Sequence, residues 1–306
     1  MMLFTQHRKR RMTQPPSPRR IAPAIALLNR LRGRRGLDQP GRKPIPDERH
    51  QTLPDGHLPL HIASWNIHSS VGIDARFAPD RIAQVIRGLG VDAIGLQEVG
   101  WHHRGEMGLD QFAYLAEQTG MRALAAPTKH HRSAHYGNAL LTRLPVKGVD
   151  PIDLSQPMRE PRGALAARLE LAPGVEVRVM VAHFGLDPWE RNAQVGRILA
   201  YLDRVPPLPT LFMGDLNEWL PSARCLRRLS ARLPDCAAPR SFHAKLPTLR
   251  LDRIFVSSDL RLAGYGVVRT RQTRLASDHL PVRALIGVPA AQATAKGHHG
   301  LESSTI

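Results

Sequence analysis

Eight side chains with oxygen, amide or imidazole groups recur beside short apolar runs: Asn66, Glu98, His183, Asp215, Asn217, Asp252, Asp278 and His279. In "LFMGDLNEW" (211–219) three apolar residues run into a glycine, and Asp215, Asn217 and Glu218 follow at once. Carboxylates that share a site repel each other unless a cation neutralises them. Oxygen donors with no cysteine among them suit a hard cation, magnesium (Mg2+) first and manganese as the alternative. Such an ion keeps several waters and uses few carboxylates. One carboxylate is then left to activate a water, and the histidines to carry or stabilise charge. Those parts suit the hydrolysis of a phosphate ester. Taken singly, each residue has an ordinary structural use. Asn66 and Asn217 could serve turns, Glu98 a solvated strand end and His183 a satisfied core position. Asp252 could pair with Arg250 or Arg253, and Asp278 could cap a turn before Pro281. The ordered set is what points to chemistry.

The elements that would hold these residues alternate along the chain. "LHIASWNIH" (60–68) has the composition of a strand that ends near Asn66. In "PDRIAQVIRGLG" (79–90), Ile82, Val85, Ile86 and Leu89 fall at helical spacing and Gly90 supplies a stop. "DAIGLQEV" (92–99) predicts a second strand with Glu98 near its end, and 110–119 a helix. "YGNALLTRLPV" and "GALAARLEL" are strand candidates. In "VEVRVMVAHF" (175–184), Val175, Val177, Val179 and Val181 share one face and His183 is next on it. "LDPWERNAQVGRILAYL" (186–202) opens with Asp187 as N-cap, Pro188 at the first helical position and Glu190 as a reciprocal cap. "PTLFMGDLN", "LRLDRIFV" (249–256) and "ASDHLPVRALIGV" (276–288) complete the strands. Strands outnumber helices, and the helical connections are too few for a doubly wound sheet. The expected architecture is α/β, with two mixed sheets packed face to face and helices outside. If the strand ends gather at one edge, that edge holds the whole polar set.

The chain has 306 residues, 42% of them hydrophobic, enough for a sizeable core. Its formal net charge is +17, which favours anionic partners without choosing among them. Residues 1–57 hold 13 basic and 4 acidic side chains, so about half of that excess sits there. The expected organisation is a basic, Pro-rich, disordered arm at 1–57, a catalytic domain at 58–288 and a disordered tail at 289–306. The two cysteines, Cys225 and Cys236, make no disulfide framework. No apolar run is long enough for a transmembrane helix. In "RRIAPAIALLNRLRGRR" (19–35) arginines follow the short apolar centre where a cleavage site would stand, which argues against a signal peptide. Ser64, Ser69 and Ser70 lack a nucleophile-elbow context, and no phosphate-loop or dinucleotide glycine pattern occurs. His131 and His135 could form a zinc pair only on a helix with further ligands; a histidine-rich loop at the site mouth is the preferred reading, and His102 and His103 are read alike.

Eight motifs in order, "SWNIH", "LQEV", "YGNALLTRLP", "MREPRGAL", "VAHFG", "GDLNEW", "LDRIFV" and "SDHLPV", resemble those of the endonuclease/exonuclease/phosphatase superfamily. Deoxyribonuclease I, the abasic-site endonucleases, inositol polyphosphate 5-phosphatases and bacterial sphingomyelinases share that pattern. The resemblance covers roughly residues 60–286. It implies a four-layer α/β sandwich of the deoxyribonuclease I type and a metal-dependent phosphoesterase. Position by position, it implies that Asn66 and Glu98 hold the magnesium, joined by Asp278. Asp215 would orient or deprotonate the attacking water, with Asn217 beside it. His279, oriented by Asp252, would stabilise charge on the phosphate. His183, Arg162 and Asn138 would contact the scissile phosphate.

"HYGNALLTRLP" and "SFHAKLPTLRLDRIFV" are similar to a bacterial branch of phosphodiesterases linked to lipid remodelling, often found near cardiolipin synthase genes. That similarity points to a phospholipid or lipid-headgroup diester. Two features depart from the branch. The arm 1–57 precedes the usual start, and Ser241-Phe242-His243 stands where Thr-Phe-Pro is common. The expected activity is water attack on a phosphodiester of nucleic acid or anionic phospholipid. A phosphomonoesterase acting on a soluble small molecule and an inactive basic binding module are the alternatives. The loops 101–110 and 127–135 carry positive charge that suits either polymer backbone or membrane. The arm 1–57 is expected to touch a membrane surface or nucleic acid. The protein is expected to be a monomer in the cytoplasm, at the inner face of the membrane.

Overall fold

The computed structural model describes residues 49–50, 53–100, 109–131 and 134–290. Most of the arm, His102 and His103 with the rest of 101–108, and the tail beyond 290 lie outside the described residues. Among the described residues, thirteen strands form two sheets. One contains β1 (Arg49–His50), β2 (His57–Asn66), β3 (Ala93–Gly100), β4 (Arg122–His131), β5 (Ala134–Thr142), β12 (Arg261–Val267) and β13 (Val282–Pro289). Its order is β1-β12-β13-β2-β3-β5-β4. The other contains β6 (Val146–Asp153), β7 (Gly163–Ala172), β8 (Val175–His183), β9 (Thr210–Asp215), β10 (Asp235–Ala237) and β11 (Asp252–Val256), in the order β10-β11-β9-β8-β7-β6. Both sheets are mixed. Each has a single parallel pair, β2 with β3 and β8 with β9, and antiparallel neighbours elsewhere. Parallel neighbours require a crossover. Helix α1 (Pro79–Leu89) lies between the first pair in sequence and α3 (Pro188–Arg204) between the second. The remaining helices are α2 (Gln111–Thr119), α4 (Arg224–Arg232) and α5 (Arg271–Ala276).

Side-chain alternation explains the layers. Along β2, Leu60 and Ile62 face the second sheet, where they join Val179, Val181, Leu211, Met213 and Ile254 in one buried cluster. Ala63 and Trp65 face the other way and pack with Ile82 and Ile86 of α1 and Phe112 of α2. In β9 the same period sends Leu211 and Met213 between the sheets and Phe212 outward to Val195 and Ile198 of α3 and Leu229 of α4. A strand covered on both faces is apolar throughout. Hence the unbroken run before Gly214.

The helix signals act largely as their chemistry suggests. Gly90 ends α1 at φ 59°, and Asp187 caps α3 by accepting from the backbone N–H of Trp189 (2.8 Å) and Glu190 (3.4 Å). Glu190 differs from expectation. Its carboxylate is buried and accepts from Gln194 Nε2 at 3.1 Å. Burial raises its pKa. The stretch 127–135, expected as a loop, continues β4 and β5 as a hairpin with His130 opposite His135 and His131 opposite Ala134. The helix that a His131–His135 metal pair would need is therefore absent. Arg49–His50, read as part of the arm, pair with Tyr265 and Gly264 of β12.

Gly214 shows why the apolar run must end in glycine. Its φ is +152°, and a Cβ there would sit 1.8 Å from the carbonyl oxygen of Ala182 on β8. Gly214→Ala is expected to cost about 3 kcal/mol or more, because rigid backbone, not a movable side chain, is in the way. Urea unfolding at neutral pH measures it, and a loss below about 1 kcal/mol would contradict the close approach.

Candidate active site

The C-terminal ends of the four parallel strands, the start of β11 and the segment before β13 meet at one edge. Asn66 is the last residue of β2 and almost fully buried. Its Nδ2 donates to Glu98 Oε1 (2.9 Å) and to Asp215 Oδ2 (3.1 Å), and its Oδ1 accepts from the backbone N–H of His68 (3.0 Å). Asn66 thus ties the first sheet to the second. Glu98 interrupts β3 at φ 56°, where the register against β5 shifts between Leu96 and Val99. Such an irregularity re-aims a side chain and is common beside functional sites.

Asp215 is the centre of the cluster. Its Oδ1 accepts from the backbone N–H of Asn217 (3.0 Å). Around its Oδ2 stand Asn66 Nδ2, His183 Nε2 (3.5 Å) and His279 Nε2 (3.6 Å). The tautomer of His183 follows from its other side. Arg162 Nη1 lies 3.0 Å from His183 Nδ1, and a guanidinium only donates. Nδ1 therefore accepts, and the ring proton sits on Nε2, facing Asp215 and, at 4.0 Å, Glu98. Asn217 Nδ2 is 3.1 Å from the same Nε2 and 2.9 Å from the carbonyl of Phe184. With Nε2 protonated, the bond to Phe184 is the one that is donated.

His279 is oriented the opposite way. Its Nδ1 donates to Asp252 Oδ2 at 2.8 Å, leaving Nε2 toward Asp215. Ser241 Oγ donates to the same Asp252 oxygen. Burial alone would push the His279 pKa down, but the charges of Asp252 and Asp215 outweigh it and hold the imidazolium well above the usual histidine range. Trp65 Nε1 donates to the His279 carbonyl (2.9 Å), and Ser277 Oγ to the Asn66 carbonyl (2.7 Å), which locks the segment before β13 to β2. A folded-state pKa above the unfolded value stabilises the protein fully below the unfolded pKa of about 6.5, and that contribution is lost as pH rises through the folded value. In the metal-free protein, the stability gap between wild type and His279→Gln is therefore expected to be largest below pH ~6.5 and to shrink in alkali. Urea titrations across pH check this, and a gap that grows with pH would refute it.

Beside this centre lies a second acidic pair. Burial pushes the Glu98 carboxyl up, and the charge of Asp278 adds to the shift. Burial also acts to raise Asp278, but His279, His68 and His243 together hold it below the usual carboxylate range. Arg162, Asn138 and His183 line a small recess with Tyr136 and Thr128. There Asn138 Nδ2 donates to the Gly163 carbonyl (2.8 Å), and Arg162 Nη2 pairs with Glu160 (2.8 Å). Arg162 Nε is buried without a hydrogen-bond partner. Tyr136 keeps its phenol protonated, through burial first and the Glu98 charge second.

All ten residues singled out in the sequence lie in this region. Sequence reasoning missed Ser241, Ser277 and Tyr136, and the His68 and His243 that join His279 around Asp278. All five stand inside quoted motifs, Ser241 and His243 in "SFHAKLPTLRLDRIFV", Ser277 in "SDHLPV", Tyr136 in "YGNALLTRLP" and His68 in "SWNIH". Their roles depend on contacts made across long sequence separations.

Donor atoms of Asp215, Asp252 and His279 lie within 4.8 Å of one another, a buried cluster of the kind that can hold a divalent ion. Residues 63–279 match the Endonuclease/Exonuclease/phosphatase family. The chain belongs to that family. It carries the phosphoesterase fold of this family around a buried Asp/Asp/His cluster. It is 27% identical over 259 residues to the protein YbhP of Escherichia coli K12, covering 79% of this chain and 99% of that one. An endonuclease/exonuclease/phosphatase from Beutenbergia cavernae superimposes with a TM-score of 0.62 at 24% identity, over 75% of this chain and 72% of that one. A mannosyl-6-phosphatase of Bacteroides thetaiotaomicron superimposes with a TM-score of 0.60 at 20% identity, over 74% and 99%. At that identity the likeness concerns the fold. No helix among the described residues is long and apolar enough to cross a membrane.

Proposed function

We propose that the protein is a divalent-cation-dependent hydrolase of phosphodiester bonds, with magnesium as the ion and manganese as its substitute. The observation that carries this reading is the convergence on Asp215 of the Nε2 atoms of His183 and His279, beside a separate acidic pair. The donor set fits a hard cation. Glu98 and Asp278, both half-buried, repel one another, and no thiol is near, since Cys225 lies against Glu218 and Cys236 against the Ala237 carbonyl. Glu98 and Asp278 would hold the ion, with Asn66 Oδ1 as a further oxygen donor. Asp252 is less suited, because it is fully buried and its Oδ2 is engaged by Ser241 and His279. When bound, the ion would neutralise charge gathering on the phosphate oxygens.

The protein's own groups then divide the work. Asp215 orients the water and takes its proton. His279, kept charged by Asp252, stabilises the negative charge that builds on the phosphate. His183 Nε2–H, Arg162 and Asn138 hold the remaining oxygens, and Asn217 fixes the turn that carries Asp215. Nucleic acid and phospholipid headgroups both present the required diester. The arm 1–57, through its excess of positive charge, would hold the protein to either, as a monomer at the cytoplasmic face of a membrane or on nucleic acid. The likeness to a mannosyl-6-phosphatase favours a second reading, hydrolysis of a small soluble phosphomonoester.

One competition assay separates these. Wild type and Asp215→Asn are incubated with magnesium, supercoiled plasmid and phosphatidylglycerol vesicles, and separately with a sugar phosphate. Nicked plasmid with untouched lipid makes the protein a nuclease. Cleaved headgroups make it a lipid phosphodiesterase. Phosphate released only from the sugar favours the second reading. Equal activity in Asp215→Asn would overturn the site itself.

A further inference from the structure

Eight large apolar side chains are exposed among the described residues, and seven of them lie on the segments that carry the site. Leu186 and Trp189 follow His183. Trp219 and Leu220 follow Asn217. Leu246 follows Ser241–His243, Leu275 precedes Ser277, and Met158 precedes Arg162. Val149, on the outer strand β6, is the exception. The exposures are large, 65% for Trp189, 72% for Leu246 and essentially complete for Met158. Scattered exposed leucines need no explanation, but a concentration of them around one mouth does.

The segments are cross-tied, so several of these side chains are held in place. Arg191 of α3 pairs with Glu218 at 2.8 Å, donates to the Leu186 carbonyl at 2.7 Å and lies 6.0 Å from the Trp219 ring centroid. Arg159 pairs with Asp187 at 3.3 Å, linking the Met158 segment to the cap of α3. Arg274 donates to the Lys245 carbonyl at 3.3 Å, linking the segments of Leu275 and Leu246. Glu160, Asp187 and Glu218, acids on these segments, are each paired to an arginine. Lys245, Arg274 and Arg224 remain as exposed cations on the same segments.

We infer that this rim is an interfacial docking surface for an anionic lipid bilayer, which narrows the substrate of the proposed phosphodiesterase to a membrane phospholipid and rests on that reading. Tryptophan and leucine enter the boundary between headgroups and acyl chains, while lysine and arginine stay at the anionic headgroups. A bilayer phospholipid presents its phosphodiester just above that boundary. A site ringed by apolar tips is thereby set down on it. Single-stranded nucleic acid would use the two tryptophans for stacking, but it offers nothing to Leu186, Leu220, Leu246, Leu275 or Met158.

The test compares full-length wild type, the double variant Trp189→Ala/Trp219→Ala and the single variant Leu246→Ser. Each is sedimented with vesicles of phosphatidylethanolamine and phosphatidylglycerol, titrated with a single-stranded oligonucleotide, and assayed on the soluble diester bis-p-nitrophenyl phosphate. The arm is the same in all three, so it cancels from the comparison. Wild type is expected to bind the vesicles, the double variant about tenfold or more weakly and Leu246→Ser severalfold more weakly. Oligonucleotide binding and hydrolysis of the soluble diester stay at wild-type levels. Leu246 is so exposed that its variant folds even if the double variant does not. Equal vesicle binding by wild type and Leu246→Ser would overturn the inference. So would a loss confined to oligonucleotide binding, or wild-type indifference to vesicles. Vesicle binding lost in the variants, with no diester hydrolysed by any protein, would uphold the docking surface and refute the proposed chemistry.

Discussion

Asp215→Asn is expected to lower kcat by about three orders of magnitude while leaving the fold intact. Asparagine has the same shape, and its oxygen can still accept from the Asn217 backbone. What it loses is the negative charge and the basic oxygen that would receive the water's proton. The loss spreads to His279, because the Asp215 charge is one of the causes that raise its pKa. The variant should melt within a few degrees of wild type, since Asp215 forms no structural salt bridge with an arginine or lysine among the described residues. Single-turnover hydrolysis of a soluble phosphodiester, with circular dichroism as a fold control, measures both. Activity within about tenfold of wild type would remove Asp215 from the role of base.

Asp252→Asn is expected to lower kcat by about two to three orders of magnitude through a different route. Asp252 is buried and touches His279 rather than the reacting atoms, so it is a positioning residue. An amide there can turn its N–H₂ toward Nδ1 and leave the imidazole proton on Nε2. The ring would then be neutral, and the positive charge proposed to face the phosphate would be lost. The diagnostic readout is the pH–rate profile. Loss of the largest pKa-raising charge should move the alkaline limb, which reports loss of the His279 proton, to lower pH. Ser241→Ala, which removes only the hydroxyl donated to Asp252, should show a smaller decrease. An Asp252→Asn enzyme with a lowered rate and an unmoved profile would assign Asp252 a purely structural part.

Much of this was legible in the sequence because the signals are local. The period-two valines of β8, the helical spacing of Ile82, Val85, Ile86 and Leu89, and the caps at Gly90 and Asp187 each depend on neighbours a few residues away. The two-sheet architecture followed from counting strands against helices. The contacts that make the site are not local. Asp252 and His279 are 27 positions apart, and their pairing came from the motif resemblance and not from spacing; Asn66 and Asp215 are 149 apart, and their contact was not foreseen. Other features escaped for specific reasons. Residues 127–135 looked like a loop because proline, histidine and serine are turn-prone, yet pairing with the opposite strand decides otherwise. Glu190 fits the capping pattern, but burial against Gln194 prevailed. The bulge at Glu98 has no sequence signature, because a glutamate at positive φ is held there by its surroundings.

The seam between the sheets has a consequence for how the activity comes into being. Asn66, Glu98 and His279 belong to one sheet, and His183, Asp215 and Asp252 to the other. His279 arrives near the C-terminal end of the domain, just before the strand that inserts beside β2. A chain emerging from the ribosome can therefore form most of both sheets and still be inert. So would a fragment cut anywhere between residues 66 and 279. Competence appears only when the last strand closes the first sheet. For a phosphoesterase of this family, a complete site is therefore the last thing that folding supplies.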